Sequence, residues 1–447
     1  MRRCLLGLIL GVALGLGIPL AQAQTLRFQM EGHIQEPGAP APHTLRVWDV
    51  QLRPGQVAIK DTTKDDIVVR IYDFSTQRRA VYSTVSQTVQ DVPLSALVTA
   101  RVLGRQNSDN MAQMVKATKP AALAEAGLQQ YNLDALYSLS VPGTPLSGVT
   151  FRTYGPERMA EHEGVEVARF TPGPSAVPEA LKDEFEKFLL YEFPLHPTVR
   201  REVVATGTLP ARMQFQVRPN AQVDEHTYEF VVRDYGQAPL VAPVGYVARP
   251  TGDDSLNALL RRVRPARDED RRFLKEKVAK LLEEGNHITA LLVAYEAVWT
   301  FGDQADLMPV LQAIQTLPAD SGAAVFLQRL VGREGQPPAE RAQEIFALMP
   351  LSQGNSAVLK IMVADELGKA EKTREAIALL KDVLQQNAQL TEAWDNLAGL
   401  ILRTPTRAVE AFACWEAAER IAPQHPMFKG QRAYVDALKT DFPEFFK

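Results

Sequence analysis

The chain has 447 residues, 46% hydrophobic and 23% charged, a balance that excludes a disordered polymer and a multispanning membrane protein. Single cores stop growing beyond roughly 250 to 300 residues, so this length predicts two domains. With 49 Lys and Arg against 53 Asp and Glu the net charge is −4. That lacks the basic excess that phosphate neutralisation demands, and it argues against nucleic acid as a partner.

Residues 1–24 begin with the cationic Arg2 and Arg3, continue as an uncharged apolar run from Leu5 to Leu20, and end in the small residues Ala21 and Ala23. This pattern predicts a signal peptide over 1–23, cleaved after Ala23, and export to the periplasm or beyond. An uncleaved anchor is the competing reading, because the run approaches the roughly 19-residue window of a membrane span. Cys4 would leave with the signal. The remaining cysteine, Cys414, sits on the apolar side of a helical pattern and is expected to be a small buried hydrophobe.

From residue 24 to 250 the punctuation predicts an antiparallel β domain with helical insertions. Leu26, Phe28 and Met30 alternate, Leu45, Val47, Val57 and Ile59 sit in short runs, and residues 67–72 form a β-branched and aromatic strand. Turns are expected at Glu36-Pro37-Gly38 and Arg53-Pro54-Gly55. Helices are predicted over 94–103 and 119–139. Strands follow at 149–154, 164–171, 199–205, 213–218 and 227–233, interrupted by an amphipathic helix over 178–193 with Leu181, Phe185, Phe188 and Leu189 on one face. Residues 251–267 read as a linker around a short helix, and 268–447 as almost entirely helical. Asp268, Glu269 and Asp270 fall in a first helical turn, where negative charge complements the dipole.

The strand at Gln56 to Lys60, the strand ending in Tyr72-Asp73-Phe74, and Val81 to Val89 running into Asp91-Val92-Pro93-Leu94 follow one another in a set order. That order resembles the periplasmic lipoprotein-carrier superfamily, and the resemblance implies an incomplete β-barrel closed on one side by helices. It covers about 70 residues. Ser86-Gln87-Thr88-Val89 stands where that family has an aromatic, so lipid cargo is not carried over.

In the helical half Ala376 and Ala411, Leu380 and Trp415, Val383 and Ala418, and Ala388 and Pro423 are each separated by 35 residues. A weaker copy places Ala342, Phe346 and Met349 one period earlier. Small residues let helices approach closely, and large apolar ones fill the space beside them. The period, and the run Ala393-Trp394-Asp395-Asn396-Leu397-Ala398 followed by Ile401, Ala411, Trp415, Ala418 and Pro423, resemble the tetratricopeptide repeat. The fold class expected is therefore α+β and multidomain: an open, barrel-like antiparallel β domain, then an all-α tetratricopeptide-like solenoid. Phe442, Phe445 and Phe446 are expected to cap the last repeat.

Chemistry is harder to find. His162-Glu163-Gly164-Val165-Glu166 superficially resembles a zinc-protease motif but lacks the second histidine, so no metal is assigned. The other histidines form no ligand spacing and are expected at turns or on the surface. No nucleophile elbow, phosphate loop or dinucleotide fingerprint occurs in the mature chain. Arg261, Arg262, Arg264, Arg267, Arg271 and Arg272 form a basic cluster that would meet anionic lipid, yet interleaved acids make a solvated face the better reading.

These observations predict an exported, non-enzymatic interaction scaffold without a cofactor. Its first-helix residues Asp395, Asn396 and Arg403 would face a protein or peptide partner in the envelope, and its β domain would dock a second partner or the membrane surface. Two other readings stand beside it: a carrier of lipid or another apolar ligand in the open barrel, and an envelope hydrolase built from distant residues.

Overall fold

The computed structural model describes residues 25–36, 41–118, 126–144, 146, 148–217, 226–235, 240–354 and 356–447. The expected signal peptide, the turn at Pro37-Gly38 and the start of the helix expected at 119 lie outside them.

Alternation in β1 (Leu26–Gln35) puts Phe28, Met30 and Ile34 on one buried face. The chain then meanders through β2 (His43–Arg53), β3 (Gln56–Asp61), β4 (Val68–Asp73), β5 (Arg78–Ser83) and β6 (Thr88–Pro93). A second meander comprises β7 (Val149–Tyr154), β8 (Glu157–His162), β9 (Val165–Ala176), β10 (Thr208–Val217) and β11 (His226–Tyr235). Antiparallel pairing of β1 with β11 joins the two, and β12 (Val247–Ala248) adds a parallel edge beside β6. The result is one twelve-stranded sheet with β12 and β7 as its edges, open rather than closed. Gly32 is required where β1 bends, because a Cβ there would lie 2.5 Å from Phe230, whose ring stacks on Trp48.

Helices α1 (Leu94–Thr118), α2 (Ala126–Tyr137), α3 (Lys182–Glu192) and α4 (Pro197–Ala205) contribute to the core on the inner face of the sheet. Phe188 of α3 meets Phe28 and Trp48 edge-on, and Phe193 meets Phe230 at 4.6 Å. The Trp48 indole donates to Asp61 at 3.0 Å, so the largest core side chain also has its polar atom satisfied. Residues 199–205, expected as a strand for their β-branched content, form helix α4 instead. Pro197 starts the helix, and His196 Nδ1 accepts the Thr198 amide at 3.2 Å. An N-cap with proline in the first turn thus overrides weak β propensity. Strand β8 was not anticipated.

The helical half contains α5 (Asp254–Leu260), α6 (Asp268–Glu283), α7 (His287–Phe301), α8 (Met308–Gln315), α9 (Gly322–Val331), α10 (Pro338–Phe346), α11 (Ala357–Lys369), α12 (Thr373–Gln386), α13 (Thr391–Leu402), α14 (Ala408–Ile421) and α15 (Phe428–Asp441). Ala376, Leu380, Val383, Trp394, Leu397, Ala398, Ile401, Ala411 and Ala418 share one core and are fully buried. The residues expected as a linker are packed rather than free. Leu256, Leu259 and Leu260 enter that same core, and Asp253 pairs with Lys381 at 2.6 Å.

The C-terminal aromatics do not cap a repeat. Phe442, Phe445 and Phe446 enter the core of the β half, where the Tyr191 hydroxyl donates to the Phe445 carbonyl at 2.8 Å. Between the halves, Arg78 pairs with Glu416 at 2.7 Å and the Tyr434 hydroxyl donates to Thr99 at 3.1 Å. The physical reason is supply of apolar surface: α3 and the sheet leave a site for three more rings, and burying each is favourable by about 2 kcal/mol.

Candidate functional site

The face of α13 that carries Asp395, Asn396, Gly399, Leu400 and Arg403 forms one wall of a cleft of about 490 Å³. These positions recur at helical spacing, which puts them on one side. The other walls come from Asp365, Gly368 and Lys369 of α11, Trp415 of α14, and Gly430, Gln431 and Tyr434 of α15. The structure therefore brings Asp395, Asn396 and Arg403 together on one concave surface.

The three glycines differ in role. Gly368 lets α11 approach α13, since a Cβ there would sit 2.7 Å from Leu400. Gly399 and Gly430 face open space, with nothing within 4 Å of an added Cβ. Glycine inside a helix costs about 1 kcal/mol relative to alanine, and no neighbouring atom requires it at these two positions.

Two acids, Asp365 and Asp395, and two bases, Lys369 and Arg403, line the cleft. Lys369 Nζ lies 2.8 Å from both Asp365 and Glu366, and Arg403 donates to the Gly368 carbonyl at 2.7 Å. Asp395 accepts from Gln431, and burial pushes its carboxyl up while that bond opposes the shift. Glu392, one turn earlier on α13, is held up at about 7 by burial and by the Asp395 and Asp365 carboxylates. Burial lowers His425, which is therefore neutral at pH 7 beside Asp395.

The Glu392 shift has a sign that can be checked. A carboxyl raised from 4.5 to about 7 on folding contributes stability that is fully present below pH 4.5 and lost as pH rises through 7. Glu392→Gln is therefore expected to raise stability at pH 8 by roughly 1–3 kcal/mol and to change it little at pH 4.5. Thermal unfolding of both proteins at the two pH values tests this; an equal shift at both would refute it.

Sequence reasoning missed Lys369, Trp415 and the α15 residues as parts of the cleft. Nothing in the spacing pointed to Gly430 or Gln431, since α15 lies outside the best repeat copy.

Elsewhere, His196 and His425 are buried, against the expectation of turn or surface positions for the histidines outside the 162–166 motif. His162 and His196 are buried, with the Tyr131 ring stacked on His196 at 4.8 Å and tilted against His162 at 5.4 Å. His196 Nε2 lies 3.6 Å from Asp134, whose carboxylate accepts from Arg105 at 2.5 Å. Arg105 and Asp109 also border a smaller cavity of about 260 Å³, where the guanidinium is already engaged by both acids. Cys414 is fully buried and burial pushes its thiol upward, away from nucleophilic use. In the basic cluster Arg264 pairs with Asp270, Arg271 with Asp303 and Asp306, and Arg272 with Glu276. Among the described residues no group of three or more His, Cys, Asp or Glu is arranged to hold a metal ion, and no helix is long and apolar enough to cross a membrane.

No family model matches the chain, and no curated protein matches it. A solved structure titled "Lipid-protein interactions in lipovitellin" is similar at 11% identity with a TM-score of 0.16. The match covers 94% of this chain and 56% of that one, so the chain spans little more than half its length.

Proposed function

We propose that this protein is an exported, non-enzymatic interaction scaffold in which α11–α15 act as a tetratricopeptide-type groove for an extended segment of a protein partner. The observation that carries the reading is the cleft floor. Gly399 and Gly430 leave open space between polar walls, which lets a ligand backbone approach two helices closely. Side chains at Asp395, Asn396 and Arg403 then meet the ligand from one wall.

The test is direct, because filling the floor separates binding from folding. Gly399→Leu and Gly430→Leu are each expected to preserve or raise stability by about 0.5–1 kcal/mol through helix propensity. Both are expected to abolish binding of decapeptides selected from a displayed random library on the full chain. Selected peptides that bind the filled variants as well as the parent would refute the groove.

A second reading, carriage of an apolar ligand by the β half, is favoured by the open sheet with its apolar inner face. Buried methylenes supply about 0.8 kcal/mol each, so an acyl chain needs no polar site. Phe185, Phe188, Phe193 and Phe445 fill that face, so a ligand would have to displace helix α3 or the C-terminal rings. Native mass spectrometry of the mature chain from envelope fractions distinguishes the readings: a lipid-sized addition supports carriage, and a bare chain that takes up no added fatty acid counts against it.

A further inference from the structure

We infer that His196 is an acid-sensitive latch: its neutral imidazole caps α4, and its protonation uncaps that helix and loosens the layer of α2, α3 and α4 against the sheet. The geometry begins with an acceptor. His196 Nδ1 accepts the Thr198 amide at 3.2 Å, whereas an imidazolium carries a hydrogen on both ring nitrogens and can accept no bond there. Cap and proton therefore exclude each other.

A partner for the protonated ring is already in place. Asp134 Oδ2 is buried, accepts no hydrogen bond, and lies 3.6 Å from His196 Nε2, too far for one. The other oxygen of that carboxylate is held by Arg105 at 2.5 Å and Gln130 at 3.0 Å. A protonated ring that closes the gap to Oδ2 exchanges the cap for a charge-assisted hydrogen bond.

The titratable and charged groups around the ring come from several elements. They are Asp134 of α2 with Arg105 of α1 behind it, His162 of β8 beside the Glu161 that pairs with Arg152, and the fully buried Arg200 of α4. Tyr131 of α2 stacks on His196 and tilts against His162. Burial, the largest influence, lowers the ring below the ordinary histidine value; Asp134 opposes this, and His162 and Arg200 add to it. The sign follows. An unfolded histidine takes up its proton near pH 6.5 and the folded one at lower pH, so the capped state keeps its full advantage above 6.5 and loses up to about tenfold per pH unit below it.

Helix α4 is what the cap secures. From it Arg200 reaches Glu186 of α3 at 3.3 Å and the Ser138 carbonyl, just past α2, at 3.4 Å. Freeing the first turn of α4 therefore weakens the hold on both neighbouring helices.

Hydrogen exchange of the mature chain, read by mass spectrometry at pH 7 and 5.5 and corrected for intrinsic rate, tests the latch. Opening of residues 196–206 is expected to rise about tenfold between the two values, and that of 126–138 with it. His196→Asn, which can cap without titrating, is expected to change by about twofold or less, while His162→Gln keeps the parent's dependence. Unchanged protection in the parent, or a loss centred outside these two segments, overturns the inference on the parent alone. A dependence that His196→Asn retains, or that His162→Gln removes, overturns it as well. Circular dichroism at pH 7 establishes that each variant is folded, with His196→Ser as a second capping replacement.

Discussion

Replacing Phe445 by alanine is expected to destabilise the folded chain by about 3–5 kcal/mol, the cost of removing a large ring from a filled core. Phe445 is fully buried, packs edge-on against Tyr191 at 5.5 Å, and lies under the Arg101 guanidinium at 5.4 Å. Its site is in the β half, although its chain segment belongs to the helical half. The loss therefore falls on the joint between the two, and unfolding should cease to be a single transition. Denaturant unfolding followed in parallel by far-ultraviolet circular dichroism and tryptophan fluorescence is the check. Coincident curves with a loss below 1 kcal/mol would mean that the aromatic tail is ornamental.

The second large effect is expected at Asp134, whose replacement by alanine should cost about 3–5 kcal/mol because it strips a buried cation of its partner. Arg105 and Asp134 side chains are 4% and 3% exposed, and Gln130 donates to the same carboxylate oxygen at 3.0 Å. Asp109 remains to Arg105, but it is 40% exposed and compensates only in part. Removing both charges should cost far less than the sum. The double change Arg105→Met/Asp134→Leu is expected to recover most of the loss, as replacement of buried ion pairs by apolar residues of similar volume often does. A double-mutant cycle by equilibrium unfolding measures this directly, and additive losses would show that the pair is not coupled. The same cycle reports on the His196 ring, which bridges Asp134 to the cap of α4.

Only one wall of the cleft was anticipated: the resemblance to a tetratricopeptide repeat, whose first helix lines the groove, pointed to Asp395, Asn396 and Arg403, whereas the residues of α11, α14 and α15 come from outside that helix. The way its charged groups are held was not legible: Lys369 is engaged by Asp365 and Glu366 of its own helix, while Arg403 reaches across to the Gly368 carbonyl of α11. The α4 segment failed for a related reason: Val199, Val203 and Val204 favour strand locally, but Pro197 and the His196 cap decide in favour of helix.

By itself the sequence determined the division into a sheet-forming half and a helix-forming half. Periods of two and of 3.6 are properties of neighbouring residues, and hydrophobic burial acts on them locally. Only the tertiary structure decided that β1 pairs with β11 to fuse two meanders into one open sheet, that α5 packs against α12 and α14, and that the last three phenylalanines cross into the other core. Each of those outcomes is a choice among apolar surfaces distant in the chain. Local pattern says that such a surface must be covered, and only the packed whole says by what.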